Sequence, residues 1–227
     1  MKKLHAMAAW LKQETLARRP RLDKTGVVTK TASVLLLLLP GREGPELLFE
    51  VRSGKLGWQP GDICFPGGRR EPGDRNFAAA AVREASEELG IHYKSIRLCG
   101  TLDFFAAHNG FMVYPFVGIW NPETCDGSVP VACENWNFNK DEVSELFTVP
   151  LFWLLQAEPR TGTAHIHIKR KEDFPFELVP RLDPGKDFHQ EYPIYFYRYG
   201  DKVIWGMTAA ILHSFIDRFG KGLAEFA

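Results

Sequence analysis

The segment REASEELG, residues 83 to 90, places Glu84, Glu87 and Glu88 within five positions. At 100° per residue the three fall on one side of a helix. Residues three and four apart are neighbours there, so Glu84 repels both of the others. An isolated helix of this sequence loses stability to its own charges. A fold that keeps such a helix has to set something cationic against that face. Just ahead of it runs SGKLGWQPGDICFPGG, with five glycines and two prolines, and long shaped loops in compact domains are usually functional.

A hard divalent cation answers the repulsion, because Mg²⁺ takes oxygen ligands in near-octahedral geometry and keeps several waters. Bridged to phosphate oxygens, such a cation would polarise phosphorus and lower the pKa of a bound water while a spare carboxylate accepts the proton. Gly67 and Gly68 lack a Cβ, which lets the backbone come close to a metal or a phosphate. Phosphoryl chemistry fits the cluster. The plainer reading of the three glutamates alone is a solvated helix face, and the flanking residues decide between the two.

The rest of the chain alternates strands and helices without repeats. The apolar run VLLLLLP at 34–40 is too short to span a bilayer and reads as a buried strand, and no membrane segment is present. Strands are predicted at 32–39 and 46–52, joined by the turn-forming PGREGP. A helix is predicted at 76–89, with Ala78, Ala81, Val82, Ala85 and Leu89 as its apolar stripe, Asp74 or Asn76 as its cap and Gly90 as its stop. Further strands are expected at 96–105, 111–120, 143–149 and 195–199, a short helix at 150–155, and a C-terminal helix at about 204–219. The N-terminal stretch reads as an amphipathic helix rather than a leader, because Lys12, Gln13 and Glu14 interrupt its apolar middle and no small-residue cleavage site follows.

With 227 residues, 45% of them hydrophobic, the chain suits one domain with appendages. Its 28 basic and 28 acidic side chains cancel, which removes the electrostatic case for nucleic acid or an anionic membrane as main partner. The four cysteines, Cys64, Cys99, Cys125 and Cys133, have no CxxC spacing, which points to reduced thiols in a cytoplasmic chain.

The stretch FPGGRREPGDRNFAAAAVREASEELGI, residues 65–91, resembles the Nudix hydrolase signature. That signature is a glycine, an acidic residue, Arg-Glu, a small or apolar residue, Glu-Glu and a Gly-apolar pair at set spacing. Here they are Gly68, Asp74, Arg83, Glu84, Ala85, Glu87, Glu88, Gly90 and Ile91. Eight residues, not the usual seven, separate Asp74 from Arg83, and aspartate replaces the commoner glutamate. The coenzyme A diphosphatase branch of the family has the same longer spacing. It also has an upstream pattern that Leu48, Arg52, Ser53, Gly61 and Phe65-Pro66-Gly67-Gly68 match. Glu50 stands where that branch has threonine, and Gly57 where it has a second arginine. Arginine offers a bidentate fork for phosphate that glycine lacks, and Lys55 is the nearby candidate to replace it. NGFMVYPFVG at 109–118, DEVSELFTVPL at 141–151 and IWGMTAAIL at 204–212 are similar to the same branch, so the resemblance spans about 32–216.

The resemblance implies an α/β (α+β) chain with a Nudix-type α/β/α sandwich, a mixed β-sheet between helices. Residues 31–220 would form a single domain after an N-terminal helix and lead-in at 1–30. It implies that Glu84, Glu87 and Glu88 hold Mg²⁺ or Mn²⁺, with the Gly68 carbonyl as a further ligand. Glu84, Glu87, Arg83 and Glu142 would form the catalytic group. Arg83 would orient a glutamate, although an i,i+4 pair with Glu87 would serve equally as helix support. Relatives place a metal-binding or basic glutamate near Glu142, with Glu145 as a close rival. Arg52, Ser53 and Gly67 are the substrate-binding candidates, Arg52 reaching either a substrate phosphate or a structural salt bridge. His108 and Asn109 lie in a turn where relatives approach substrate, or in a turn chosen for backbone reasons. Trp205 and Thr208 are expected as core and capping residues. The segment YPIYFYRYGDKVIW either stacks an adenine or forms a buried edge strand. His165 and His167 alternate onto one face of a strand and are not expected to bind metal.

The implied reaction is hydrolysis of a diphosphate linkage in a nucleoside diphosphate derivative. For coenzyme A or acyl-CoA the products are 3′,5′-ADP and (acyl-)4′-phosphopantetheine; NADH, ADP-ribose or another nucleotide is the alternative. A non-hydrolytic nucleotide sensor would be marked by a lost helix glutamate, and none is missing. The expected partner is a small-molecule nucleotide, without nucleic acid or membrane. A homodimer, common among Nudix enzymes, stays open.

Overall fold

In the computed structural model, which describes residues 2–16, 30–107, 110–121, 133, 136–183 and 185–227, the leucine run at 34–40 builds two cores at once. Leu35, Leu37 and Leu39 pack on one side of the strand, Leu36 and Leu38 on the other. Successive side chains alternate across a strand, so a continuous apolar run is what a strand covered on both faces requires.

The elements in chain order are α1 (Lys2–Leu16), β1 (Lys30–Pro40), β2 (Pro45–Arg52), β3 (Ile63–Cys64), β4 (Gly67–Gly68), α2 (Phe77–Leu89), β5 (Ile96–Thr101), β6 (Phe105–Ala106) and β7 (Phe111–Trp120). They continue as β8 (Val143–Pro150), α3 (Leu151–Gln156), β9 (Arg160–Ile168), β10 (Phe188–Tyr199), β11 (Lys202–Trp205) and α4 (Gly206–Leu223). Strands β1 to β8 form one mixed sheet. Within it β1 runs parallel to β7 and antiparallel to β2 and β4, β8 adds to β2, and β5 adds to β7. Strands β9, β10 and β11 make a second, antiparallel sheet.

Helix α2 covers one face of the large sheet with Ala81, Ala85 and Leu89 against Leu35, Leu37, Leu48 and Trp120. The other face packs Leu36, Leu38 and Phe49 against Leu4, Met7 and Leu11 of α1 and Leu212, Phe215 and Phe219 of α4. Each large apolar side chain buried in this way contributes about 1.5–3 kcal/mol. The result is the expected α/β/α sandwich with a mixed sheet between helices. The amphipathic N-terminal helix spends its apolar face on this same core.

Four expectations change. The strand expected at 96–105 ends at Thr101: its register on β7 shifts between Leu98 and Gly100, a bulge bends it, and only β6 rejoins β7. β10 starts at Phe188, well before residue 195, because Phe188 to Phe196 pair with the whole of β9. Trp205 is not core: it stands exposed at the start of α4, stacked on Phe196. Thr208 is not a cap either, since its hydroxyl donates to the Ile63 carbonyl at 3.0 Å and ties α4 to β3. Among the described residues no helix is long and apolar enough to cross a membrane, and Cys64, Cys99 and Cys133 are reduced thiols.

Candidate active site

Helix α2 is held at both ends by its own sequence. The Asn76 side chain accepts the Ala79 N–H at 2.9 Å, as a good N-cap does. Gly90 closes the helix with φ 65°, the left-handed conformation that glycine adopts without strain. Between them the helix lays Glu84 and Glu88 over β4. The Gly67 amide donates to Glu88 Oε2 at 2.7 Å. A side chain on Gly67 would strike the Ser33 carbonyl, and one on Gly68 would occupy the place of the Glu84 carboxyl. The backbone contact requires glycine at 67, and a Cβ at 68 would push the Glu84 carboxyl aside.

Glu88 is only 5% exposed. Burial first, and then the neighbouring charges of Glu50, Glu84 and Glu142, push its pKa well up against the opposing Gly67 hydrogen bond. Glu84 is pushed up too, by burial and by Glu87 and Glu142, with Arg83 pulling the other way. Glu87 is the outermost of the three, with a side chain 57% exposed.

Arg83 pairs with both Glu84 and Glu87. Its Nη1 reaches Glu87 at 3.0 Å and its Nη2 reaches Glu84 at 2.9 Å, while Nε and Nη2 fork onto Asp74 at 3.0 Å each. Asp74 also accepts the Glu71 amide at 2.7 Å. Hydrogen bonds from Arg83 and Glu71 hold Asp74 below the usual carboxylate range. Asp74 thus anchors the arginine that fixes two glutamates.

Glu142, at the start of β8, lines the same cleft as Glu84, Glu88, Gly67, Gly68 and Arg52. Its Oε2 accepts Asn139 Nδ2 at 3.0 Å, its carbonyl accepts the Ser53 amide at 2.8 Å, and the Asn139 amide donates to the Glu88 carbonyl at 2.8 Å. That last bond couples the Glu142 loop to α2. Glu145 is instead bonded to Lys202 at 2.6 Å and is not part of the cleft wall. Ser53 is buried beneath the wall. Lys55 is paired with Asp141 at 2.7 Å at the surface and does not replace the arginine absent at Gly57. His108 and Asn109 lie outside the described residues. His165 and His167 sit on β9, facing Glu191 and Asp187.

Sequence reasoning did not place Glu50 in the site. It is 1% exposed and, by strand alternation with Leu48, faces α2. Its Oε1 accepts the Cys64 thiol at 3.0 Å, and its Oε2 has no hydrogen-bond partner among the described residues. Burial above all, with Glu142 adding and Cys64 and Arg52 opposing, pushes its carboxyl up to about 7. A carboxylate inside the apolar string LLFEV was the available signal.

The cleft, about 1470 Å³, carries Lys30, Arg52 and Arg69 on its wall. None of these three has a carboxylate partner among the described residues. Its far side is apolar and aromatic, with Phe105, Ile194, Met207 and Tyr195. Tyr195 stacks on His213 at 3.9 Å, and His213 bonds the Tyr197 hydroxyl at 3.0 Å, so the aromatic segment does reach the cleft.

The donor set suits a hard divalent cation: buried carboxylates crowded against a glycine backbone, destabilised by each other's charge. Among the described residues no three carboxylate, thiol or imidazole side chains are already gathered as a cage. A cation here would therefore complete its shell from backbone, water or substrate oxygens, which is the habit of Mg²⁺.

Comparison with known proteins agrees with this chemistry. The NUDIX domain family matches residues 29–168. An uncharacterized Nudix hydrolase NudL of Photorhabdus laumondii is 30% identical over 182 residues, 80% of this chain and 81% of its own length. The peroxisomal coenzyme A diphosphatase NUDT7 of Mus musculus is 36% identical over 151 residues, 62% of this chain and 58% of that protein. Among solved structures, a MutT/nudix family protein from Enterococcus faecalis aligns over 95% of this chain and 70% of its own, at 15% identity and a TM-score of 0.45. The chain belongs to the Nudix hydrolase family and is a pyrophosphatase.

Proposed function

We propose that the enzyme hydrolyses the diphosphate linkage of coenzyme A or acyl-CoA to 3′,5′-ADP and (acyl-)4′-phosphopantetheine, using Mg²⁺ or Mn²⁺. One observation carries this reading. The cleft joins buried carboxylates that call for a cation to two basic side chains, Arg52 and Arg69, that have no carboxylate partner among the described residues and call for phosphate. The apolar far wall suits the pantetheine and acyl portion, and the similarity to a mouse protein named as a coenzyme A diphosphatase supports the substrate.

In this reading Glu84, Glu87, Glu88 and the Gly68 carbonyl hold the cation. When bound, it supplies charge neutralisation for the phosphates and a more acidic water. Arg83 keeps Glu84 and Glu87 in place. Glu142, exposed in the cleft and oriented by Asn139, accepts the proton of the attacking water. Arg52 and Arg69 bind phosphate oxygens, the Gly67 amide positions Glu88, and Ser53 tethers the Glu142 loop. The reduced thiols fit a cytoplasmic setting.

Incubation with Mg²⁺ or Mn²⁺ and, separately, coenzyme A, acyl-CoA, NADH and ADP-ribose tests the substrate by chromatography and mass analysis of products. The expected result is 3′,5′-ADP from coenzyme A at the highest kcat/KM. Turnover of NADH or ADP-ribose alone would reject coenzyme A and keep the diphosphatase; binding without any turnover would reject hydrolysis.

A further inference from the structure

Lys30, Trp58 and Phe111 line the mouth of the cleft and have no task in the hydrolysis described above. Trp58 is 53% exposed. It is stacked on Phe111 with ring centroids 6.1 Å and planes 25° apart, and the Lys30 ammonium lies 5.7 Å from the Trp58 ring and 5.5 Å from the Phe111 ring. Cation–π attraction at this range holds the lysine beside the aromatic pair.

The turn that presents Trp58 is built rather than loose. Arg52 Nε donates to the Trp58 carbonyl at 3.3 Å, and the Gly61 amide donates to the Arg52 carbonyl at 3.1 Å. Gln59, the next residue, is held at φ 48°, a left-handed conformation that residues with a Cβ seldom adopt and that tends to persist at ligand-binding turns. Gly57, on the other side of Trp58, opens onto empty space, so no side chain from that position competes for the aromatic face.

The placement has a length scale. Ser33 of β1 lies opposite Gly68, and Lys30 is three residues further along the strand, about 10 Å away at roughly 3.3 Å per residue. That spacing suits a nucleoside whose diphosphate sits at the glutamates. We propose that Trp58, backed by Phe111, stacks the substrate nucleobase and that Lys30 pairs with a second phosphate carried by the same nucleoside. The inference rests on the diphosphatase reading and deepens it. Stacking on Trp58 gives affinity with little choice of base, since every base has a π face. Lys30, a point charge, separates a nucleotide with an additional phosphate from one without. Together they do the work that arginine would do at Gly57.

Calorimetric titration of 3′,5′-ADP and of 5′-AMP into the wild type, Trp58→Ala and Lys30→Met, all in Mg²⁺, tests the proposal, with melting temperatures as folding controls. Trp58→Ala is expected to weaken both ligands roughly tenfold or more. Lys30→Met is expected to weaken 3′,5′-ADP roughly tenfold and leave 5′-AMP nearly unchanged. Unchanged affinities in both variants, or no binding of either ligand by the wild type, would overturn it. Turnover of a diphosphate panel by the same preparations separates the two readings. Turnover with unchanged affinities discards the subsite alone, whereas the expected losses without turnover keep the subsite and discard hydrolysis.

Discussion

Glu50 shows most sharply what the buried side of this cleft does to a single residue. A carboxyl raised to about 7 in the folded chain binds its proton more tightly folded than unfolded. The stability it contributes is therefore complete below the unfolded value, near 4.5, and is lost as pH rises through about 7. Metal-free wild type should be less stable at pH 8 than at pH 5.5. Glu50→Gln, which keeps the shape and cannot ionise, should narrow that difference by about 2 kcal/mol. Denaturant unfolding of both proteins at the two pH values measures this, and identical pH dependence would contradict it. At this scale the sequence spoke where helical periodicity applied: Glu84, Glu87 and Glu88 fell on one face, and Arg83 was seen to be within reach of Glu87. It was silent on Glu50, because a strand buried on both sides has no polar face to mark which way a residue points. Its thiol partner, Cys64, arrives through β2–β3 pairing. Lys55 misled for a related reason, since nearness along the chain to Gly57 did not decide the direction of its side chain.

Among the elements, α2 is the one whose ends matter to the chemistry. Its C-terminal Gly90 is left-handed, and a Cβ there would run into the Asn137 carbonyl. Asn137 leads into the loop that carries Asn139 and Glu142, and the Asn139 amide is bonded to Glu88. Gly90→Ala should cost about 2 kcal/mol or more of stability and also lower kcat by displacing Glu142. Asn76→Ala, at the far end of the same helix, should cost about 1 kcal/mol and leave kcat nearly intact. Thermal unfolding with steady-state kinetics on both variants makes the comparison; equal effects on kcat would refute the coupling. The ends of α2 were readable because caps are local chemistry. The break after β5 was not, because the bulge that bends it is set by pairing with β7, and the first half of β10 was missed because its partner, β9, lies some twenty to forty residues away in sequence.

On the scale of the whole molecule, function comes from stacking two helical layers on one mixed sheet and closing a cleft beside it. The alternation of apolar runs, glycine-rich turns and helical stripes was enough to expect layered strands and helices, and the resemblance implied the sandwich. The resemblance at residues 65–91 was enough to expect the carboxylate centre. The second sheet and the far wall of the cleft were beyond that reading, since they join Ile194 and Tyr195 of β10 to Met207 of α4 and Phe105 of β6. Such long-range juxtapositions leave no local periodicity behind. The central claim is that the buried carboxylates on α2 are the hydrolytic centre. The measurement that tests it most directly is kcat of Glu88→Gln against wild type, in saturating Mg²⁺, on whichever diphosphate the wild type turns over fastest. A fall of roughly 10²- to 10⁴-fold is expected, with the metal-free melting temperature held or raised because a strained acid gives way to a neutral isostere. A variant that stays folded and retains kcat within about threefold, well short of the range for a residue of this kind, would contradict it.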